Sequence, residues 1–227
     1  RFVHNSAYQD VQAQFEACVA SMDPNRMVQL LQFNPYHIST LLQVSEIAKQ
    51  EGDHATSGDL LERALFSFGR AVHSTFATNL STGKARLDFR RPENREFWLA
   101  AWRYIANLSR RATWRTVYEW AKLLLALSPK NDPYCVSLVI DQFAIRARQQ
   151  GHFMDLAEAF SLHYDWMMLP HIHYTLALCR VQISDPSDGR DLLRDQIWSR
   201  PWIAARLMRE LELEPIPPVI WGKEPPT

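Results

Sequence analysis

Residues Ser81 to Arg95, with the sequence STGKARLDFRRPENR, interrupt a chain whose remaining sequence is patterned mainly for helices. This stretch holds five of the chain's 25 Lys and Arg residues, and apolar and charged side chains alternate from Leu87 to Arg90. Pro92 then stands where a helix can begin, because proline is favoured at the first helical position. The stretch therefore predicts a long basic loop at residues 79–92 between two helical regions.

On both sides of this loop, apolar residues recur three and four positions apart, which is the period of an amphipathic helix. Before the loop, one stripe runs over 38–52 and a second runs on to Val72, with a turn at Gly52-Asp53. Together they form a unit of about 34 residues, the length of a tetratricopeptide repeat. The same spacing of apolar residues, in two successive helical stripes, recurs over 93–127 and over 133–163. The pattern predicts an all-α fold, an α-solenoid of degenerate tetratricopeptide-like helical hairpins.

The third hairpin is predicted as one helix over 133–150, which turns at Gly151 into a second helix over 153–163. Asp185-Pro186 is predicted to cap a later helix, because aspartate is favoured at the N-cap and proline just after it. Further helices are predicted over 7–22, 25–31, 171–183, 188–198 and 201–211.

The tail from Glu214 to Thr227 contains five prolines, which predicts an extended conformation because proline cannot continue a helix. Its apolar centre, Val219-Ile220-Trp221, predicts that the tail docks on the helices. We therefore expect one helical-repeat domain at 1–213, followed by an extended tail at 214–227. Because the sequence begins with Arg1 and not with Met, it is expected to be a fragment of a longer protein.

The overall charge argues against nucleic-acid binding by the chain as a whole. The 25 Lys and Arg residues balance 25 Asp and Glu residues, whereas phosphate neutralisation needs a cationic excess or a basic face. No apolar run approaches the roughly 20 residues that span a bilayer. Cys18, Cys135 and Cys179 are widely spaced in apolar helical patterns, so they are predicted to be reduced core residues in a reducing compartment.

Candidates for catalysis or metal binding are weak. His171 and His173 are two positions apart, so on a helix they point in different directions and cannot share one ion. The aspartates at 185, 188 and 191 do not have the spacing of an EF-hand loop, and helix capping explains them better. The sequence also has no phosphate-binding glycine loop, GxSxG motif or HExxH motif. These observations predict a non-enzymatic protein without a cofactor or metal.

The residues that could contact a partner are arginines and aromatics, the usual anchors of protein interfaces. In the basic loop, the guanidinium groups of the arginines could bind carboxylates or phosphates of a partner. Alternatively, the same loop could brace the fold. In that case Leu87 and Phe89 would pack on the helices, and Arg90, Arg91 and Glu93 would pair with each other. Two tryptophans lie off the apolar stripes and either pack between hairpins or line a partner groove. The partner-binding candidates are Arg86, Asp88, Phe89, Arg90, Arg91, Arg95, Trp102 and Trp120.

Several motifs identify a family resemblance. The run Arg86-Leu-Asp-Phe-Arg-Arg-Pro-Glu-Asn-Arg95 resembles the signature of the ribosome quality control complex subunit 1 family, also named transcription factor 25. Met22 to Leu31, Pro35-Tyr36-His37 and the segments STLLQVS (39–45), LERALFS (61–67), AKLLL (121–125) and AIRAR (144–148) match as well. The resemblance runs in order from about Phe2 to Phe160, so it is more specific than any one motif.

The resemblance implies a non-enzymatic subunit of the machinery that clears stalled nascent chains from the large ribosomal subunit. Relatives of this kind work beside a Listerin-type RING ubiquitin ligase, ubiquitin and the Cdc48/p97 unfoldase, and they help to place ubiquitin so that proteasome-directing chains are built. It also implies a cytoplasmic protein that can be found in the nucleus. Neither a membrane nor direct DNA contact is expected.

Two alternatives remain open from the residues. One is a generic tetratricopeptide-like adaptor that holds an acidic peptide C-terminus in a basic concave groove. The other, suggested by the older family name, is a transcriptional regulator that acts through protein contacts, since no recognition helix with clustered basic residues is present.

Overall fold

The computed structural model of the chain describes residues 1–183 and 186–225. Throughout these ranges the regular structure is helical and no strand occurs, which confirms the predicted all-α fold. The chain divides into two compact units, Arg1–Val136 and Ser137–Thr227. Whether residues 1–213 act as one helical-repeat domain, and whether the hairpins stack as a solenoid, stay predictions. Across the described residues, no helix combines the length and the apolar character that crossing a membrane requires.

Seven helices form the first unit. The most extensive packing is of α3 with α4, α4 with α6, and α6 with α7, while α2 packs against α1 and α3. Their bounds are α1 (Ser6–Ser21), α2 (Pro24–Phe33), α3 (Ile38–Gln50), α4 (His54–Ala71), α5 (Phe76–Ser81), α6 (Pro92–Arg110) and α7 (Trp114–Leu127). The fully buried side chains between them are large and apolar, and they include Leu41, Leu61, Trp98, Ile105 and Leu124.

Some of the helix starts are set by capping side chains or by proline. The Asp53 carboxylate accepts a hydrogen bond of 2.9 Å from the Thr56 N–H and caps α4, which begins directly after the predicted turn at Gly52-Asp53. Pro92 is the first residue of α6, also as predicted. Asp23 caps α2 in the same way by accepting from the Asn25 N–H. These side chains satisfy backbone donors that the first helical turn leaves without partners.

The second unit is built around α10, which packs against α8, α9 and α11, while α12 packs against α11. A 3₁₀ turn at Val136–Leu138 spans the boundary between the units and precedes the helices of the second unit. Its elements are α8 (Ile140–Arg146), α9 (Gln150–Ser161), a 3₁₀ turn at Asp165–Met168, α10 (Pro170–Ile183), α11 (Pro186–Ser199) and α12 (Pro201–Glu210). The predicted cap at Asp185 lies outside the described residues.

The prediction of one long helix over 133–150 is wrong. The backbone is left-handed at Cys135 (φ 50°) and again at Arg148 (φ 55°), so α8 has only seven residues and the chain turns at Arg148, not at Gly151. The Asp132 side chain accepts the Val136 N–H at 2.8 Å. Such a local bond offers the backbone an alternative to the helix. Cys135 is consequently exposed in a turn, which corrects its predicted place in the core, whereas Cys18 and Cys179 are buried.

The proline-rich segment after α12 forms turns without a helix as far as Pro225. Ile220 is only 5% exposed and packs with Ala204 and Ala205 of α12. Val219 and Trp221, its neighbours, are largely exposed. One residue of the apolar centre is therefore buried against a helix, while the other two face solvent.

Helices α10 and α11 of the second unit approach each other closely at Gly189. A Cβ atom at this position would lie 2.8 Å from Val181 Cα in α10, too close for any real contact. We expect Gly189→Ala to lower the free energy of unfolding by about 2 kcal/mol or more, because the clash is with backbone that cannot rotate away. Gly69→Ala in α4 is the control, since a Cβ there meets nothing within 4 Å. This change should be neutral or stabilising, and equal effects in urea denaturation would contradict the prediction.

Candidate functional site

The predicted start of the basic loop at residue 79 is wrong, because residues 79–81 belong to α5. Between α5 and α6 the loop is held to the first unit by backbone hydrogen bonds. At its start, the N–H groups of Lys84 and Ala85 both donate to the Asn79 carbonyl, at 2.7 and 2.9 Å. In the middle, the Leu87 N–H donates to the carbonyl of Leu127, the last residue of α7, at 3.0 Å. The loop is therefore an ordered part of the helical framework.

Phe89 anchors the second half of the loop. Its ring packs edge-on against Trp98, with 6.2 Å between centroids, and against Tyr134, with 6.0 Å between centroids. Trp98 is fully buried. The Arg95 guanidinium carbon lies 5.6 Å from the Phe89 ring centre, and Arg95 Nε donates to the Phe89 carbonyl at 3.2 Å. Phe89 and Arg95, two of the predicted contact residues, thus brace the loop against α6.

Asn94 links this loop to the start of the chain. Its side chain is buried; Nδ2 donates to the Asp88 carbonyl at 2.8 Å, and Oδ1 accepts the Phe2 N–H at 3.0 Å. Sequence reasoning missed this residue, although it lies within the RLDFRRPENR run. The available signal for Asn94 was its position. A polar residue in the first turn of a helix that follows a loop often forms hydrogen bonds with backbone groups.

Asp88 forms hydrogen bonds with Arg90, one of the exposed arginines of the loop. Its carboxylate accepts the Arg90 N–H at 3.0 Å and the Arg90 Nε–H at 3.2 Å. These bonds from Arg90 keep the pKa of Asp88 below its usual value. Arg90 pairs with Asp88, and not with Glu93 as the bracing interpretation supposed. The Arg90 side chain is still 87% exposed, and the neighbouring Arg91 is exposed as well.

Arg86 lies at the other end of the loop, beside a groove of about 540 Å³ in the first unit. Its Nη1 donates to the carbonyls of Gly83 and Ala85, both at 2.7 Å. Trp120 lines the same groove and packs edge-on against Tyr104. Trp102 instead packs on Tyr134 and borders a separate cavity of about 160 Å³. The structure therefore brings Arg86 and Trp120 together and leaves Trp102 apart from them.

A polar cluster of buried and half-buried side chains joins α1, α3 and α6, and the sequence did not reveal it. The Glu96 carboxylate accepts hydrogen bonds from the Ser39 hydroxyl and from the Tyr8 hydroxyl, the latter at 3.4 Å. Burial raises the pKa of Glu96, and burial together with Glu96 raises the pKa of Tyr8. His37 lies beside Tyr8 and bonds Thr40 Oγ1 through Nδ1 at 2.8 Å. Burial, helped by His4, lowers the pKa of His37 to about 4.

The second unit contains a smaller buried polar pair. The Thr175 hydroxyl donates to Asp141 Oδ2 at 2.8 Å, and both residues are buried. Burial, with a further contribution from Asp141, raises the pKa of Cys179 to about 11. The thiol is therefore protonated at neutral pH and is a poor nucleophile, because the thiolate is the reactive form.

The two histidines weighed as metal ligands occupy the start of α10. His171 Nε2 lies 3.1 Å from the Ser137 carbonyl oxygen, so this ring is bound to the backbone. Among the residues that the structure describes, no three His, Cys, Asp or Glu side chains are arranged to hold a metal ion.

The amino-acid sequence of the chain matches a protein family and several known proteins. The family described as "Transcriptional repressor TCF25" matches residues 1–221. The chain is 40% identical over 187 residues to proteins of Mus musculus and Homo sapiens named "Ribosome quality control complex subunit TCF25", covering 82% of this chain and 27% of each relative. It is 38% identical over 208 residues to "Ribosome quality control complex subunit 1" of Schizosaccharomyces pombe, covering 91% and 31%. No solved structure matches the chain significantly.

Replacing the Asn94 amide by a carboxylate tests its bridging role. We expect Asn94→Asp to lower the free energy of unfolding by about 3 kcal/mol at pH 7, because a buried negative charge would face the Asp88 carbonyl. The loss should shrink as the pH falls, since a protonated carboxyl can again donate to that oxygen. Asn25→Asp, at an exposed position in the first turn of α2, is the matched control and should change stability by less than about 0.5 kcal/mol. Equal losses in chemical denaturation would refute the bridging role.

The pKa of His37 predicts how the stability depends on pH. An unfolded chain binds a proton at His37 near pH 6.5, whereas the folded chain does so only near pH 4. The unfolded state therefore binds more protons between these values, and the stability falls as the pH is lowered from 6.5 to 4. His37→Phe removes this contribution, so the wild type should lose more stability than the variant over this interval. Parallel curves of unfolding free energy against pH would contradict this assignment.

Proposed function

The chain belongs to the TCF25 family, and from this premise we propose that it is a non-enzymatic scaffold subunit of the ribosome-associated quality control complex. In this role it helps a Listerin-type RING ligase to ubiquitinate stalled nascent chains on the large ribosomal subunit with proteasome-directing chains. The chain spans between about a fifth and a third of the length of the curated relatives that it matches. The proposal therefore concerns the part that this helical region plays in a longer protein.

The proposed mechanism is positioning. A scaffold that holds the ligase and ubiquitin raises their effective concentration and fixes the orientation in which ubiquitin is presented. Such a role requires a rigid framework with exposed contact residues, and it requires no nucleophile or metal. The unfoldase Cdc48/p97 and the ribosome are expected to be partners of the whole complex.

The observation that supports this proposal best is the presentation of Arg90 and Arg91. The loop beneath them is fixed by Phe89, Arg95 and Asn94, while Asp88 orients the exposed Arg90. A contact residue that is ordered before binding loses less conformational entropy when the partner arrives. Guanidinium groups presented in this way suit carboxylates on an acidic protein surface. We therefore assign the contact with the ligase or ubiquitin to this face of the loop.

The description of the matching family favours a second candidate, a transcriptional regulator. The balanced charge of the chain disfavours direct DNA contact, so this activity would act through protein contacts. A mobility shift of DNA produced by this chain alone would support direct DNA binding and would contradict that interpretation.

Charge reversal at the loop tests the first proposal. We expect Arg90→Glu/Arg91→Glu to lower the yield of ubiquitin chains, or to alter their linkage, by about fivefold or more in a reconstituted ligase assay, as expected when two interface arginines are lost. Arg26→Glu/Arg63→Glu is the matched control, because it reverses two exposed charges on α2 and α4 of the same unit. Chain yield, linkage and ligase binding that stay unchanged in the folded loop variant would eliminate the proposed contact.

A further inference from the structure

The groove beside Arg86 has the character of a binding site in its own right. It lies within the first unit, where parts of α4, α5, α6 and α7 meet the start of the basic loop. Its volume of about 540 Å³ is within the range of ligand pockets. Phe68, Phe76, Phe97 and Trp120 supply aromatic surface to its walls, and leucines from α4 and α7 complete the apolar lining.

The charged groups around this groove all have one sign. Lys84 and Arg86 of the loop border it, together with Arg1. No Asp or Glu occurs among the described residues that line it. In a chain with equal numbers of acidic and basic residues, this is a local cationic rim above an apolar floor. An apolar ligand that carries negative charge at one end would complement both parts.

We propose that this groove binds an extended peptide that ends in a bulky apolar residue with a free C-terminal carboxylate. The apolar side chain would lie against the aromatic walls, and the carboxylate would meet Lys84 and Arg86. Thr75 and Asn79 also line the groove, and their side chains can bond to peptide N–H and C=O groups. A fatty acid shares the apolar and anionic parts but cannot use these polar groups, so a peptide is the better match.

The rim of the groove is ordered before any ligand arrives. Two backbone carbonyls hold Arg86 Nη1, and the Asn79 carbonyl holds the backbone at Lys84 and Ala85. A preorganised rim reduces the entropic cost of binding. This inference does not depend on the ligase contact proposed above, because Arg90 and Arg91 do not line the groove.

Fluorescence anisotropy of the 227-residue chain tests the proposal. The probe is a fluorescein-labelled peptide, Glu-Asp-Glu-Asp-Leu-Phe, with a free C-terminal carboxylate, and its C-terminally amidated form is the comparison. We expect the amide to bind about tenfold more weakly, as the loss of one charge-assisted contact implies. Added salt should weaken the binding of the free acid, because exposed charges are screened.

Three variants locate the site. Lys84→Glu/Arg86→Glu should weaken binding of the free acid by about tenfold or more, because attraction becomes repulsion. Gly69 lines the groove, and a Cβ atom at this position would meet nothing within 4 Å. Gly69→Trp should therefore fill the groove and abolish binding. Arg90→Glu/Arg91→Glu should bind as the wild type does, so that failure of this proposal is distinguished from failure of the ligase contact. Circular dichroism melting curves verify that each variant is folded.

Each of the opposite results would overturn the inference. No binding of the free acid at low salt would do so, as would equal affinity for acid and amide. Unchanged affinity in the folded Lys84→Glu/Arg86→Glu variant would place the peptide elsewhere. Binding of dodecanoate, measured by calorimetry, in the absence of peptide binding would assign the groove to a lipid instead.

Discussion

The buried amide of Asn94 is the interaction on which the position of the basic loop and of the start of the chain depends. It joins the first turn of α6 to the basic loop through the Asp88 carbonyl and to the start of the chain through the Phe2 N–H. An amide is suited to this position because it donates and accepts at once and carries no charge into the core. Trp98 lies one turn further along α6 and receives the Phe89 ring. The loop is thus ordered by the helix that it precedes.

This bracing divides the loop residues into two roles. Phe89 and Arg95 hold the loop in place, since the Phe89 ring packs on Trp98 and the Arg95 guanidinium donates hydrogen bonds to loop carbonyls. Arg90 and Arg91 face solvent and can meet a partner. Composition alone could not separate these roles, because arginines that brace a fold and arginines that recognise a partner look alike in a sequence. Arg86 belongs to neither group, because it lies at the rim of the groove.

Local chemistry in the sequence predicted the helices well where one side chain decides the outcome. Asp53 and Pro92 mark the starts of α4 and α6, and the hairpin predicted over 93–127 is formed by α6 and α7. The prediction failed at 133–150, where an apolar helical pattern continues through two left-handed residues. There the Asp132 side chain bonds to the Val136 N–H, and a local bond of this kind competes with the helix in a way that periodicity cannot reveal.

The sequence by itself determined the all-α class, most helix limits and the family, because each depends on short-range spacing or on strings of neighbouring residues. Only the tertiary structure decided which side chains meet. Glu96, Ser39 and Tyr8 lie on three helices and form one hydrogen-bonded cluster. The groove is lined by Phe68, Lys84 and Trp120 from separate elements. Such sets are created when helices pack at particular angles, and residues far apart in the chain leave no local signal of that geometry.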